Sequence, residues 1–217
     1  MLRTQFEEEL NKLHNQFYSM GTQVSAQLNK AVRAFVSRDS ELAQQVVDED
    51  KEINSLEVKL ETKSFELIAL QQPVSQDLRT IVTVLKASSD LERMGDHAAY
   101  VAGSVLTFRE EEDTLGVEAD FTLLGEKAKT MLDASLNAYI QGDEVRAVEI
   151  ASWDHAIDDM AEEIQGKILE ILKDQADSVR MGKEYIMNLM HLERIGDSSR
   201  NLCEWIVYLK SGEVVEL

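Results

Sequence analysis

The chain of 217 residues sets 41 Asp and Glu against 22 Lys and Arg, a net charge of −19 that argues against nucleic-acid partners and direct binding to anionic lipid, both of which need clustered cations. One proline, ten glycines and 6% aromatics exclude a turn-rich all-β protein, while abundant Ala, Leu, Glu, Gln, Lys and Met favours helix. No apolar run reaches the roughly 18–20 residues that span a bilayer, the first residues form no apolar signal core, and Cys203 is a single cysteine, so a cytoplasmic setting is expected.

In chain order, Leu2, Phe6, Leu10, Leu13, Phe17, Met20, Val24, Leu28, Ala31 and Phe35 recur at a mean period of about 3.67, one long amphipathic helix. Ser37-Arg38-Asp39-Ser40 breaks it, and Asp39 is placed to cap a second helix from about Glu41 to Leu70. Pro73 stops that helix. Ser75 is then the expected cap of a third helix, which runs to about Phe108 or Arg109. Glu110-Glu111-Glu112-Asp113 through Gly116 reads as an acidic linker. The pattern restarts with a helix from about Phe121 to Tyr139 and a turn at Gln141-Gly142-Asp143. Two more helices follow, from about Glu144 to Lys173 and from about Ser178 to Lys210. Short connections make neighbours antiparallel. The expected fold is all-α, six long helices in two similar three-helix bundles, at 1–110 and 117–217.

One phrase is written twice, as Leu91-Glu92-Arg93-Met94-Gly95-Asp96 and as Leu192-Glu193-Arg194-Ile195-Gly196-Asp197, 101 residues apart. Arg79 matches Arg180 and Val105 matches Ile206 at the same offset. Such a repeat means two units built alike. Each copy places two carboxylates at i and i+4, on one helix face. The middle helices carry partners: Asp154 and Asp158 in the second half, Asp50 and Asn54 in the first, the latter followed by Glu57 and Glu61. Aligning Ile53 with Ile157 requires the second half to have lost three residues before its last helix.

At 100° per residue these acids lie on the flank of each apolar stripe, so the expectation is a shallow groove between helices, partly open to solvent rather than sealed in the core. Four oxygen donors from two helices suit Mg²⁺, Mn²⁺, Ca²⁺ or iron, and a bound cation would remove the mutual repulsion. The expected metal ligands are Asp50, Asn54, Glu92, Asp96, Asp154, Asp158, Glu193 and Asp197, and the expected cofactors are metal ions with oxygen ligands, drawn from iron, Mn, Mg or Zn. Gly95 and Gly196 stand mid-helix, unfavourable unless something packs closely on the backbone. Arg93, Arg194, Arg79 and Arg180 are expected to pair with acids. His97, beside Asp96, is a further candidate ligand, although its counterpart is Ser198; His14, His155 and His191 read as ordinary. Phosphate loops, G-x-S-x-G, H-E-x-x-H and C-x-x-C are missing, so no enzyme is indicated.

Ile53-Asn54-x-Leu56-Glu57, Ile68-Ala69-Leu70-Gln71-Gln72-Pro73-Val74, Asp77-Leu78-Arg79, Asp90 through His97, and Asn201-Leu202-Cys203-Glu204-Trp205-Ile206 resemble the PhoU family over essentially the whole chain. The resemblance implies two three-helix bundles and a role in phosphate homeostasis. That role is to damp phosphate uptake by the phosphate-specific ABC transporter and phosphate-starvation signalling. The implied partners are the transporter's cytoplasmic ATPase subunit and the phosphate-sensing histidine kinase, with membrane contact only through them, and a homodimer is expected. It also implies multinuclear metal clusters on repeated Glu/Asp-x-x-x-Asp pairs, with Asn54 and Ser198 making the two sites unequal. Two rival readings stand beside it: a metal-dependent phosphohydrolase, and a metal-free acidic adaptor.

Overall fold

The structure is a computed structural model that describes residues 2–108, 114–175 and 178–217, side chains from Thr4 onward. Its helices are α1 (Leu2–Ser37), α2 (Ser40–Gln71), α3 (Ser75–Val105), α4 (Glu118–Gln141), α5 (Glu144–Ala151), α6 (Asp154–Asp174) and α7 (Val179–Ser211). Among the described residues there is no strand.

Local chemistry explains most ends. Asp39 accepts from Leu42 N at 2.9 Å and Asp143 from Arg146 N at 3.0 Å, each satisfying a free amide at a helix start. Gly142 closes α4 in the left-handed conformation at φ +60°. Three expectations need correction. Ser75 does not cap α3: Val74 holds the cap position, no side chain bonds there, and Ser75 has φ +50°. The third helix ends at Val105, where the chain tightens into i→i+3 bonds such as Leu106 N to Gly103 O; Arg109 and the acidic run 110–113 lie outside the described residues. The helix expected from Glu144 to Lys173 is two pieces, α5 and α6. Ser152 and Trp153 stay right-handed, but Trp153 N bonds Ile150 O and Ala156 N bonds Trp153 O, a tighter turn that kinks the rod. The Arg146 guanidinium lies 5.1 Å over the Trp153 ring at that kink.

α1, α2 and α3 form one three-helix bundle; α4, the kinked α5–α6 rod and α7 form the other. α1 packs on α4 and α3 on α7, so these four helices fill the middle and α2 and α5–α6 flank them. The expected α1 stripe is buried from Leu13 to Phe35, and a single apolar core runs through both bundles.

The two halves meet through reciprocal contacts. A Cβ on Gly125 of α4 would stand 2.6 Å from Val32 of α1, and a Cβ on Gly21 of α1 would strike Leu136 of α4. Gly21 and Val32 are the repeat counterparts of Gly125 and Leu136, so each glycine receives the other half's branched side chain, a self-complementary contact. The α3–α7 pair shows the same reciprocity. Arg180, at the start of α7, donates to Thr107 O at the end of α3; Arg79, near the start of α3, lies against the backbone of Gly212 at the end of α7. Each of these matched arginines thus reaches the other half's helix end, which suits a cation beside exposed carbonyls.

Gly125→Leu is expected to lose about 1–3 kcal/mol by overfilling the α1–α4 crossing. Gly166→Ala, mid-helix and with nothing within 4 Å of the added carbon, is expected to gain about 0.5–1 kcal/mol. Urea unfolding of both variants checks the pair.

Candidate metal centre

The mid-helix glycines have a plain cause. A Cβ on Gly95 would stand 3.2 Å from Asp50 Oδ1 and from Gln27 Oε1; one on Gly196 would stand 2.6 Å from Asp154 Oδ1. In each half an aspartate from the middle helix presses on bare backbone of the last helix, with Ile53 or Ile157 beside it. Those isoleucines are the residues that align the repeats.

In the first half Gln27, buried on α1, donates Nε2 to Asp50 Oδ1 at 3.1 Å, and Asn54 Nδ2 reaches Asp50 Oδ2 at 3.4 Å. Glu57 and Glu92 are half-buried and Asp96 is exposed. Burial raises the pKa of Glu92, and the charges of Asp96, Glu57 and Asp50 add to it. Burial and then Asp50 raise Asp96; burial and then Glu61 raise Glu57. These acids share one field.

In the second half Asp154 is fully buried, unlike the partly open flank expected for it. Its Oδ2 accepts from Arg200 Nη1 at 2.6 Å, and Arg200 Nη2 reaches Asp197 Oδ1 at 3.1 Å. Burial, helped by Asp158 and Asp197, pushes Asp154 up to about 6, with Arg200 pulling the other way. Glu193 and Asp158 are raised too, by burial first and then by neighbouring acids.

The eight expected ligands thus fall into two clusters, one per repeat: Asp50, Asn54, Glu92 and Asp96; Asp154, Asp158, Glu193 and Asp197. Three buried oxygens in these clusters, Gln27 Oε1, Asn54 Oδ1 and Asp154 Oδ1, have no hydrogen-bond partner, which is costly and which a cation would correct. The donor set, all oxygen, fits a hard or borderline ion. As placed, no group of three His, Cys, Asp or Glu side chains among the described residues converges closely enough to hold one ion. In the second cluster a guanidinium stands between two of the acids.

Sequence reading missed Gln27 and Arg200. The signal for Gln27 was a polar residue beside Val24 and Leu28 where the second half has buried Met131. Arg200 stood out only as a charge opposite Ala99. Arg93 pairs with Asp90 of its own helix, not across helices. Asp90 is buried and also accepts from Trp205 Nε1 at 3.0 Å and Asn201 Nδ2 at 3.3 Å, tying α3 to α7. Cys203 is buried against Ser135, 3.2 Å from its Oγ, and burial pushes the thiol up to about 11. His191 is not ordinary: its Nδ1 lies 3.1 Å from Nδ1 of His97. Burial pushes His97 down to about 4 and lowers His191, so both rings are neutral at pH 7.

A family model described as the PhoU domain matches residues 17–105 and 121–206. The chain is 36% identical over 216 residues to the phosphate-specific transport system accessory protein PhoU homolog of Streptococcus pneumoniae serotype 4, covering all of both. It is 32% identical over 218 residues to the homolog of the same name from Clostridium acetobutylicum, covering 100% of this chain and 99% of that one. The crystal structure of the phosphate transport system regulatory protein PhoU from Streptococcus pneumoniae superposes with a TM-score of 0.91 at 34% identity, over 98% of this chain and 100% of that one.

The sign of the Asp154 shift fixes a pH dependence. A carboxyl whose folded pKa is raised binds its proton more tightly when folded, so its contribution favours the fold below 3.8 and is lost as pH rises to about 6. In chelated protein, Asp154→Asn is expected to flatten that part of the Tm-against-pH curve. An unchanged slope would remove Asp154 from the account.

Proposed function

Because the chain belongs to the PhoU family, we propose that it is an accessory regulator of phosphate transport that damps phosphate uptake and phosphate-starvation signalling. The observation that carries the reading is the full-length match, in two repeats, to proteins named accessory or regulatory components of phosphate transport. Its partners in this reading are the ATPase subunit of the phosphate ABC transporter and the phosphate-sensing histidine kinase, met on the cytoplasmic side. No helix among the described residues is long and apolar enough to cross a membrane, which fits contact with the membrane through those partners. The halves, 1–110 and 117–217, each offer one carboxylate cluster, and the chain pairs with a second copy of itself.

Mechanistically, Asp50, Glu92 and Asp96 in the first repeat, helped by Asn54 and Glu57, would hold metal ions. Asp154, Asp158, Glu193 and Asp197 would do so in the second. A bound metal would supply positive charge between α2 and α3 and between α6 and α7. The residues themselves set the helix positions on which a partner-binding face depends. The inequality expected from Asn54 is joined by a second one: Arg200 already neutralises part of the second cluster, while its first-repeat counterpart is Ala99.

A metal-free adaptor is the second reading, and Arg200 is the observation that favours it. A groove that holds a guanidinium of its own chain is chemically suited to an Arg or Lys of a partner.

Pull-down of the transporter ATPase and of the kinase's cytoplasmic part, with and without chelator, tests both readings. Capture that chelation abolishes is the expected result; capture that survives in protein free of metal supports the adaptor. Elemental analysis is expected to show metal lost in Glu92→Lys with Glu193→Lys, and the second-site share raised several-fold in Arg200→Ala. Metal content indifferent to the charge reversals would remove the site assignment.

A further inference from the structure

Between α3 and α7, beside the first carboxylate cluster, a groove of about 690 Å³ is lined by Asp96, His97, Tyr100, Glu184, Asn188 and His191 among others. It shares Asp96 with the first carboxylate cluster, but its imidazoles belong to neither cluster, and it is built from both repeats. Its two imidazoles face each other by Nδ1 at 3.1 Å, one ring donating a proton to the other. Nothing in the proposed function uses them.

We propose that His97 and His191 form a second class of metal site, a two-imidazole clamp for a divalent transition ion that prefers nitrogen, such as Zn²⁺, Ni²⁺ or Cu²⁺.

The geometry carries this. Metal–imidazole bonds run about 2.0–2.1 Å, so two nitrogens 3.1 Å apart subtend about 100° at a shared ion, close to the tetrahedral and square-planar angles. The ion takes the place of the shared proton with hardly any movement of α3 or α7. Ring orientation is already set: Tyr100 stacks on His191 at 4.5 Å between centroids and 29° between planes. Behind the rings, His191 Nε2 is buried without a hydrogen-bond partner. A buried neutral imidazole leaves one ring nitrogen as donor and the other as acceptor, so this arrangement meets only half its capacity. Two remaining coordination positions face the groove, where Asp96 and Glu184 offset the charge of the ion and Lys183 opposes it.

The site is asymmetric in the same sense as the rest of the molecule. The repeat counterparts of His97 and His191 are Ser198 and Asp90, so the pseudo-equivalent position on the other side of the α3–α7 seam has no imidazole pair. Oxygen ligands in the carboxylate clusters and nitrogen ligands here select different ions from the same solution. An ion held by His97 and His191 joins one repeat directly to the other.

The test uses full-length protein freed of metal, carrying His155→Ala to remove the exposed imidazole outside the pair, and one equivalent of Cu²⁺. Pulsed electron paramagnetic resonance is expected to show coupling to two imidazole nitrogens. Either His97→Gln or His191→Gln should reduce it to one, and the double variant should abolish it and weaken binding by about tenfold or more. Glu92→Gln with Glu193→Gln should leave the nitrogen coupling intact, which separates this site from the carboxylate clusters. Because a variant can lose binding by misfolding, a second readout is the Tm of the parent, which Zn²⁺ should raise and the double glutamine variant should not show while keeping its helical circular dichroism. Absence of imidazole coupling in the parent, or coupling that persists in the double variant, overturns the proposal.

Discussion

An aspartate pressed against the bare backbone of a neighbouring helix is the contact on which the rest of the structure depends. It occurs once per repeat, Asp50 on Gly95 and Asp154 on Gly196. Any side chain at either glycine would push α2 from α3, or α6 from α7, and the acids in register with them would separate. A mid-helix glycine costs roughly 1 kcal/mol of helix stability against alanine, and each half accepts that cost at the same position. The glycine also brings a carboxylate into a place where water cannot fully solvate it. The unpartnered oxygens and the raised carboxyl pKa values follow from that single approach.

The repeats answer this electrostatic problem differently. The first surrounds Asp50 with amides, from Gln27 and Asn54, which donate without neutralising. The second supplies a full positive charge on Arg200 and buries Asp154 completely. The repeats therefore share the placement of Asp50 and Asp154 and differ in the groups around them, in Asn54 against Asp158 as well as in the counter-charges. The same divergence runs through the α3–α7 seam, where Asp90 with Trp205 and Asn201 occupies one side and His191 with His97 the other.

Helix content, the repeat and the two clusters were legible because each rests on periodicity or on residues near in sequence. Asp39, Gly142 and Asp143 act as their side chains dictate, through bonds three or four residues away. The kink at Ser152-Trp153 was not legible, since neither residue breaks helices and the apolar stripe continues from Ala147 and Ile150 to Ile157. Wheel geometry put Asp154 on a flank, and only the crossing of α7 seals that flank. Arg79 and Arg180 were legible as a matched pair, but their contacts with the other half's helix ends were not, because backbone groups at a distant helix end leave no mark in a sequence. Arg200 was missed for a different reason: Asp197 lies three residues before it, but its buried partner Asp154 is 46 positions away.

The crossed arginines at the helix ends bear on how the chain comes apart. Each half finishes its last helix with a side chain borrowed from the other, and one apolar core continues through both. Neither half owns a complete set of end contacts, so loosening one exposes carbonyls and core in its twin. The two repeats match the family model separately, but the shared core and crossed end contacts couple the opening of one to the other.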